Sequence, residues 1–196
     1  MPAVGEVGSQ AKARKVVDQA IDALGGLDIL VNSAGYFAEV KVEDVDQDHW
    51  NRTMDTNVAG TFFCSQAALS SLKKSGGNIV NVASDAGTIG YPLGAVYSAS
   101  KAAVVNLARA MVLELATQIR INCVCPGNVD TDMIQQAAQS SGDPQAYLWA
   151  AHDRSPVKRM AKPQEVADAI LYLASKEAGF INGAILSIDG GGICGF

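Results

Sequence analysis

Apolar residues recur every three to four positions near the start of the chain and predict an amphipathic helix. At 3.6 residues per turn they share one face, and the residues are Ala13, Val16, Val17, Ala20, Ile21 and Leu24. Ser9 precedes this pattern and Gly25-Gly26 follows it. Serine is a favoured N-cap and glycine a favoured stop, so we expect the Ser9 side chain to cap a helix that ends at Gly25.

Short apolar runs bounded by turn residues predict four buried strands, at 27–31, 78–82, 119–124 and 184–188. Longer helical patterns separate them, and the two longest cover about 46–74 and 97–118. Strands that alternate with helices indicate parallel βαβ units. The chain is therefore predicted to form an α/β domain with a doubly wound parallel sheet of the Rossmann type.

The helical pattern at about 97–118 is apolar nearly all round, with residues such as Val104, Val105, Leu107 and Leu113. A helix without a polar face is buried on both sides. One side can pack against the sheet, and a second subunit is the simplest cover for the other. We expect the helices at about 46–74 and 97–118 to form the interface of a homodimer or homotetramer.

Length and composition narrow the class of protein. The 196 residues suffice for a single domain, taken as 1–196. A net charge of −5 and the lack of a Lys/Arg cluster argue against nucleic acid as a partner. No apolar run reaches the length of a membrane span and the first residues lack a signal-peptide pattern, so a cytoplasmic location is expected. The four cysteines show no CxxC spacing and there are two histidines, so no metal site is predicted.

Candidate catalytic residues follow the predicted strands. Ligands of doubly wound sheets bind beyond the carboxyl ends of the strands, and Asn32–Gly35, Ser84 and Pro126–Thr131 all lie there. Tyr97 and Lys101 are four residues apart, so they share one face of a helix. A neighbouring ammonium lowers the pKa of a phenol toward neutrality, which would make Tyr97 a proton donor and acceptor near pH 7.

The polar segment at about 130–163 is predicted to cover a substrate. Its aromatic residues Tyr147 and Trp149 have two interpretations that the sequence leaves open: they line the substrate pocket, or they anchor the segment. Pro126-Gly127 also has a second interpretation, since this dipeptide ends strands in many proteins.

Taken in order and spacing, the motifs of this chain resemble those of the classical short-chain dehydrogenase/reductase family from about Gly5 to Gly192. They are Asn32-Ser-Ala-Gly35, Asn57-Val-Ala-Gly60, Ser84, Tyr97-x-x-x-Lys101, Pro126-Gly-Asn-Val-Asp-Thr131 and Asp189-Gly-Gly. The resemblance implies an oxidoreductase that transfers a hydride between a nicotinamide cofactor and a secondary alcohol or ketone.

The same resemblance implies a role for each matching residue. Tyr97 would be the general acid/base, and Lys101 would lower its pKa and bind the nicotinamide ribose. Ser84 would hold the substrate oxygen, and Asn57 would position a water in a proton relay. The implied cofactor contacts are Glu6, Val7, Asn32, Ala34, Gly35, Tyr97, Lys101, Pro126, Gly127, Val129 and Thr131. The cofactor would be NAD or NADP, because the strand that chooses between them has no counterpart here.

The chain departs from the family pattern at its amino end, where the Gly-rich βαβ unit that carries the pyrophosphate is missing. Gly5-x-x-Gly8 is no substitute for that turn. The strand at 27–31 is therefore expected to form an apolar edge of an N-terminally incomplete sheet. Two hypotheses follow. The first is an active oxidoreductase. The second is a catalytically silent relative that acts by subunit association, or a fragment of a longer enzyme.

Overall fold

The computed structural model describes residues 3–194, which form a parallel sheet flanked by helices. Its four strands lie in the order β1-β2-β3-β4, and every neighbouring pair is parallel. They are β1 (Ile29–Asn32), β2 (Asn78–Val82), β3 (Arg120–Pro126) and β4 (Ile185–Ile188). All four strands predicted from the sequence are present, and their ends differ from the predicted ones by at most two residues.

Seven α-helices connect or flank these strands in the described part of the chain: α1 (Gln10–Leu24), α2 (Gln47–Met54), α3 (Gly60–Ser75), α4 (Ala95–Leu115), α5 (Asp132–Ser140), α6 (Pro144–Asp153) and α7 (Pro163–Ala174). Short 3-10 turns lie at Val42–Asp44, Asp85–Gly87, Lys176–Ala178 and Gly192–Cys194, and a π-helical turn at Asp55–Ala59. The predicted helix at about 46–74 is therefore α2 and α3 joined through the π turn, and the predicted substrate-covering segment contains α5 and α6.

Helices cover both faces of the sheet because neighbouring strand residues point to opposite sides. Ile79 and Ile121 are fully buried in a cluster with residues of α1, α3 and α4. Val80, the next residue on β2, and Val124, three positions further along β3, point to the other face and are fully buried against α7 instead. The arrangement confirms the predicted doubly wound α/β architecture.

The first helix shows one correct and one wrong detail of the capping prediction. Gly25 ends α1 in the left-handed conformation with φ 75°, which favours glycine. Ser9 occupies the N-cap position, but its side chain makes no capping hydrogen bond. A cap of this kind is formed at α2, where Asp46 accepts a hydrogen bond from the His49 backbone N–H at 2.7 Å.

Two surfaces of the described chain expose apolar side chains. Strand β1 pairs with β2 alone, and Ile29 and Val31 are 44% and 40% exposed, so the edge is apolar as the sequence predicts. On α4, Leu113 is 89% exposed although Val104 and Ala108 on the same helix are buried. Within residues 3–194, none of the helices has the length and apolar character needed to cross a bilayer.

Candidate active site

A cavity of about 470 Å³ lies beyond the carboxyl ends of β1, β2 and β3. It is bounded by the segments that follow these strands, by α4, and by α5, α6 and α7. Its lining in the described chain is Ser33, Gly35, Phe37, Val82, Ala83, Ser84, Asp85, Ala86, Tyr91, Tyr97, Lys101, Pro126, Gly127, Asn128, Val129, Thr131, Met133, Ile134, Tyr147, Pro163, Val166, Ala167 and Ile170. The convergence of separate segments on this edge follows from the parallel sheet.

Ser84 is buried where β2 gives way to the 3-10 turn Asp85–Gly87. Its hydroxyl donates a hydrogen bond to Asp85 Oδ1 at 3.0 Å and accepts one from the Ala86 backbone N–H at 3.2 Å. A serine hydroxyl carries one proton. That proton is therefore engaged with Asp85 in this structure.

Tyr97 lies in the first turn of α4 and faces the same cavity as Ser84. Burial raises the pKa of Tyr97 to about 12, and the nearby Ser84 hydroxyl offsets part of that increase. Desolvation penalises the phenolate, so the neutral phenol is the stable form at neutral pH. The sequence had predicted a pKa of Tyr97 lowered toward neutrality, which is the opposite direction.

The surroundings of Lys101 explain why the pKa of Tyr97 is not lowered as predicted. Its ammonium donates a hydrogen bond to the carbonyl oxygen of Val82 at 2.9 Å, and Nζ lies 5.7 Å from the centre of the Tyr97 ring. Burial lowers the pKa of Lys101 to about 8. The two residues share one helix face as predicted, but desolvation by burial is the largest cause of the pKa shift of each group.

Asn57 lies in the π-helical turn, a feature that is frequent at functional sites. Its Oδ1 accepts from the Tyr36 N–H at 2.7 Å, and its Nδ2 donates to the Tyr36 carbonyl at 3.0 Å and to Ser100 Oγ at 2.9 Å. A Cβ on Gly35 would lie 3.6 Å from both Asn57 Oδ1 and Lys101 Nζ. Asn57 therefore fixes the loop after β1 beside Lys101.

The residues expected to contact a cofactor fall into two groups. Gly35, Pro126, Gly127, Val129 and Thr131 line the cavity together with Tyr97 and Lys101. Asn32 and Ala34 lie at the end of β1 and just beyond it, but outside the lining. Asn32 is buried and its Nδ2 donates to Asn81 Oδ1 at 2.8 Å and to Ser65 Oγ at 3.0 Å, so the structure gives it a role in joining β1 to β2 and α3.

Glu6 and Val7 do not line the cavity either. Glu6 is exposed and forms an ion pair with Lys12. Val7 packs against the cluster under α1 and α3, where a Cβ on Gly60 would lie 2.8 Å from Val7 Cγ2. In this structure both residues belong to the packing of α1.

Sequence reasoning missed the aromatic wall of the cavity and one buried carboxyl group. Phe37 and Tyr91 line the cavity but belong to no motif of regular spacing. Asp85 follows Ser84 directly and is buried. Burial raises the pKa of Asp85, an effect that its hydrogen bond with Ser84 and the charge of Arg154 reduce.

The structure answers the open question about the aromatic residues of the substrate-covering segment. Tyr147 lines the cavity and is also anchored, since its hydroxyl donates to Glu39 Oε1 at 2.9 Å. Trp149 lies outside the lining and is 70% exposed. Among the described residues, no group of three or more His, Cys, Asp or Glu side chains could hold a metal ion.

Comparisons with known proteins agree with this geometry. A family profile described as Enoyl-(Acyl carrier protein) reductase matches residues 3–192. An uncharacterized oxidoreductase of Thermotoga maritima is 41% identical over 181 residues, which cover 91% of this chain and 72% of that protein. Meso-2,3-butanediol dehydrogenase of Serratia marcescens is 39% identical over 187 residues, covering 95% and 72%.

A solved structure shows the same fold. The structure of ElxO with NADP bound superposes with a TM-score of 0.87 at 30% identity, covering 97% of this chain and 77% of that one. The chain thus spans about three quarters of the length of these relatives.

Proposed function

The chain belongs to the classical short-chain dehydrogenase/reductase family, a family of oxidoreductases that use NAD or NADP, and we propose that it transfers a hydride between such a cofactor and a secondary alcohol or ketone. One observation carries the proposal: Ser84, Tyr97 and Lys101 line a single cavity at the carboxyl ends of the strands. The butanediol dehydrogenase of Serratia marcescens is named for a secondary alcohol, which supports the substrate class.

The lining residues fit the nicotinamide end of the cofactor. Gly35 leaves open the space beside Lys101 Nζ and Asn57 Oδ1 that a side chain would enter. Gly35 and Lys101 would hold the ribose side, and Val129 and Thr131 the carboxamide side. When bound, the nicotinamide would supply the hydride acceptor or donor.

Tyr97 is suited to give a proton to a carbonyl oxygen. Its raised pKa keeps the phenol protonated at neutral pH, and proton donation by a positioned side chain contributes typically about 10²–10⁴-fold to a rate. Lys101, with a pKa of about 8, holds or releases a proton within the physiological range. Lys101 therefore supplies the reservoir from which the phenol is reprotonated.

Ser84 would bind the same substrate oxygen. To donate a hydrogen bond to it, the hydroxyl must turn away from Asp85 Oδ1, since it has a single proton. The Ala86 N–H, which contacts both Ser84 Oγ and Asp85 Oδ1, holds the serine oxygen in place during that rotation.

We also propose that the protein assembles as a homodimer or homotetramer through α2, α3 and α4. Support comes from Leu113, which is 89% exposed on α4, although Val104 and Ala108 of the same helix are buried. Covering an exposed leucine of this size by a second subunit would contribute about 1.5–3 kcal/mol per side chain.

A second candidate function is a catalytically silent relative that acts by subunit association. Two observations favour it: the apolar edge of β1, and the surroundings of Gly5 and Gly8. A Cβ on Gly5 would lie 2.6 Å from Val16 Cγ2, and one on Gly8 would lie 3.4 Å from Asp55. These glycines face packed protein, whereas a phosphate-binding turn faces open space.

Isothermal titration of the chain 1–196 with NAD and with NADP separates the two candidates. The oxidoreductase is expected to bind one of the cofactors with a Kd of about 1 mM or tighter. The absence of binding to both at millimolar concentration would favour the silent relative.

A further inference from the structure

An aromatic wall continues from the catalytic tyrosine to the substrate-covering segment. The ring centres of Phe37 and Tyr97 are 4.9 Å apart and those of Phe37 and Tyr91 are 5.9 Å apart, both in edge-to-face geometry. Tyr147 on α6 completes the wall. A substrate whose oxygen reaches Ser84 and Tyr97 must place its substituents against these rings.

The polar ends of the wall converge on one carboxylate outside the cavity lining. Tyr91 and Tyr147 both donate their hydroxyl hydrogen bonds to Glu39 Oε1, at 3.2 and 2.9 Å. Glu39 is half-buried and does not line the cavity. The two phenols therefore present ring carbon to a substrate, while their hydroxyls are satisfied by one carboxylate behind the wall. Burial and then the charge of Glu39 raise the pKa of Tyr91, which keeps it a donor.

Both charged groups of the cavity lining in the described chain are already hydrogen-bonded. Lys101 is the one cation of the lining, and it donates to Val82. Arg154 lies outside the lining with its guanidinium carbon 4.3 Å from the centre of the Tyr91 ring. Asp85, the one carboxyl of the lining, contacts Ser84 and Ala86. A carboxylate or a polyhydroxylated substituent would enter this end without a free charged partner in the lining and would lose its hydration.

From this arrangement we propose that the site takes a ketone or secondary alcohol with an apolar or aromatic substituent, and that Glu39 acts as the specificity-determining residue that turns the phenol hydroxyls out of the cavity. The inference rests on the oxidoreductase function proposed above. It adds a substrate class that excludes sugars and anionic acids.

A matched set of ketones tests the substrate class: cyclohexanone, 4-oxocyclohexanecarboxylate and a ketohexose, each with NAD(P)H. We expect kcat/KM for cyclohexanone to exceed that for the other two by at least roughly 100-fold. Equal or better turnover of the carboxylate or the hexose would overturn the inference and leave the proposed function standing.

Variants of the wall test the role of Glu39. Glu39→Leu leaves both phenols without an acceptor and free to turn inward. The ratio of kcat/KM for cyclohexanone to kcat/KM for each of the other two compounds should therefore fall at least about tenfold. Glu43→Leu, a neighbouring exposed carboxylate on a 3-10 turn, is the control and should leave the ratio unchanged. An unchanged ratio in Glu39→Leu, or an equal fall in Glu43→Leu, would contradict the inference.

A binding measurement keeps the inference testable if the chain turns over none of these compounds. Saturation-transfer NMR should detect cyclohexanone and not the hexose on the wild-type chain, and the preference should weaken in Glu39→Leu. Absent turnover together with this binding order would reject the proposed function alone. Binding of the hexose in preference to cyclohexanone would reject the inference.

Discussion

The ammonium of Lys101 donates its hydrogen bond to the carbonyl oxygen of Val82, 2.9 Å away at the end of β2. Lys101 is 5% exposed. The bond ties α4 to the strand that leads into Ser84, so one contact fixes the relative position of the candidate catalytic residues. It is also a buried charge with a neutral partner, and such a charge costs free energy of folding.

Lys101→Met should therefore stabilise the protein at pH 7. Burial lowers the pKa of Lys101 from 10.5 to about 8, which corresponds to a cost of about 3 kcal/mol. Loss of the hydrogen bond to Val82 offsets roughly 1 kcal/mol. We expect urea unfolding at pH 7 to give a free energy of unfolding about 1–3 kcal/mol higher for the variant.

The pH dependence of this gain in the free energy of unfolding shows whether the buried charge of Lys101 is its cause. Between pH 8 and 10.5 the unfolded chain binds more protons at Lys101 than the folded chain, so the stability of the wild type rises with pH relative to the variant. The difference should be constant below pH 8 and vanish near pH 10.5. A variant that is less stable at pH 7, with no dependence on pH, would contradict the account.

Gly87 makes a close approach to α4 that a methyl group would block. A Cβ at this position would lie 2.8 Å from the Lys101 carbonyl carbon and 2.9 Å from its oxygen. Gly87→Ala should lower the free energy of unfolding by about 1–3 kcal/mol, since the backbone must shift. Gly90→Ala is the matched control, because nothing lies within 4 Å of its Cβ position. Equal thermal unfolding of both variants would show that the approach is not tight.

The sequence predicted the sheet because its signals are local. Runs such as Asn78–Val82 are short, apolar and bounded by turn residues, and the resulting strand agrees with the prediction to the residue. Residues directly after strands could also be placed at the site, because parallel strands bring their carboxyl ends to one edge. Gly35, Ser84 and Thr131 line one cavity for this reason.

Effects that depend on tertiary burial could not be predicted in this way. The spacing of Tyr97 and Lys101 suggested mutual attraction, but the depth at which each lies decides the direction of both pKa shifts. Likewise, Glu39 and Tyr147 are 108 residues apart in sequence. No periodicity connects such a pair, so the wall they form became visible with the structure.

Asp85→Asn should stabilise the protein at neutral pH. Burial raises the pKa of this carboxyl group, so the folded state favours the protonated form. The contribution of the protonated Asp85 carboxyl to the free energy of unfolding is complete below the pKa of the unfolded chain. It is lost as the pH rises through the raised pKa of the folded chain. An amide keeps an acceptor for the Ala86 N–H and carries no charge. Thermal unfolding should show a gain at pH 7 that disappears at strongly acidic pH, and a gain independent of pH would contradict this cause.

Leu113→Glu should dissociate the proposed oligomer, because it places a carboxylate on the exposed apolar face of α4. Light scattering at micromolar concentration should give a dimer or tetramer for the wild type and a monomer for the variant. Leu24→Glu, an exposed leucine at the end of α1, is the control and should keep the wild-type mass. A wild type that is monomeric at these concentrations would reject the interface.

The central claim is that Tyr97 supplies the proton in a reaction at the carboxyl ends of the strands. Its most direct test is the turnover of ketones by the chain 1–196 with NADH and NADPH, compared between the wild type, Tyr97→Phe and the control Tyr172→Phe, whose ring lies on α7 outside the cavity. The account predicts turnover that falls by about 10²–10⁴-fold in Tyr97→Phe and persists in Tyr172→Phe. Turnover that is equal in the wild type and Tyr97→Phe, or absent from the wild type with both cofactors, would contradict it.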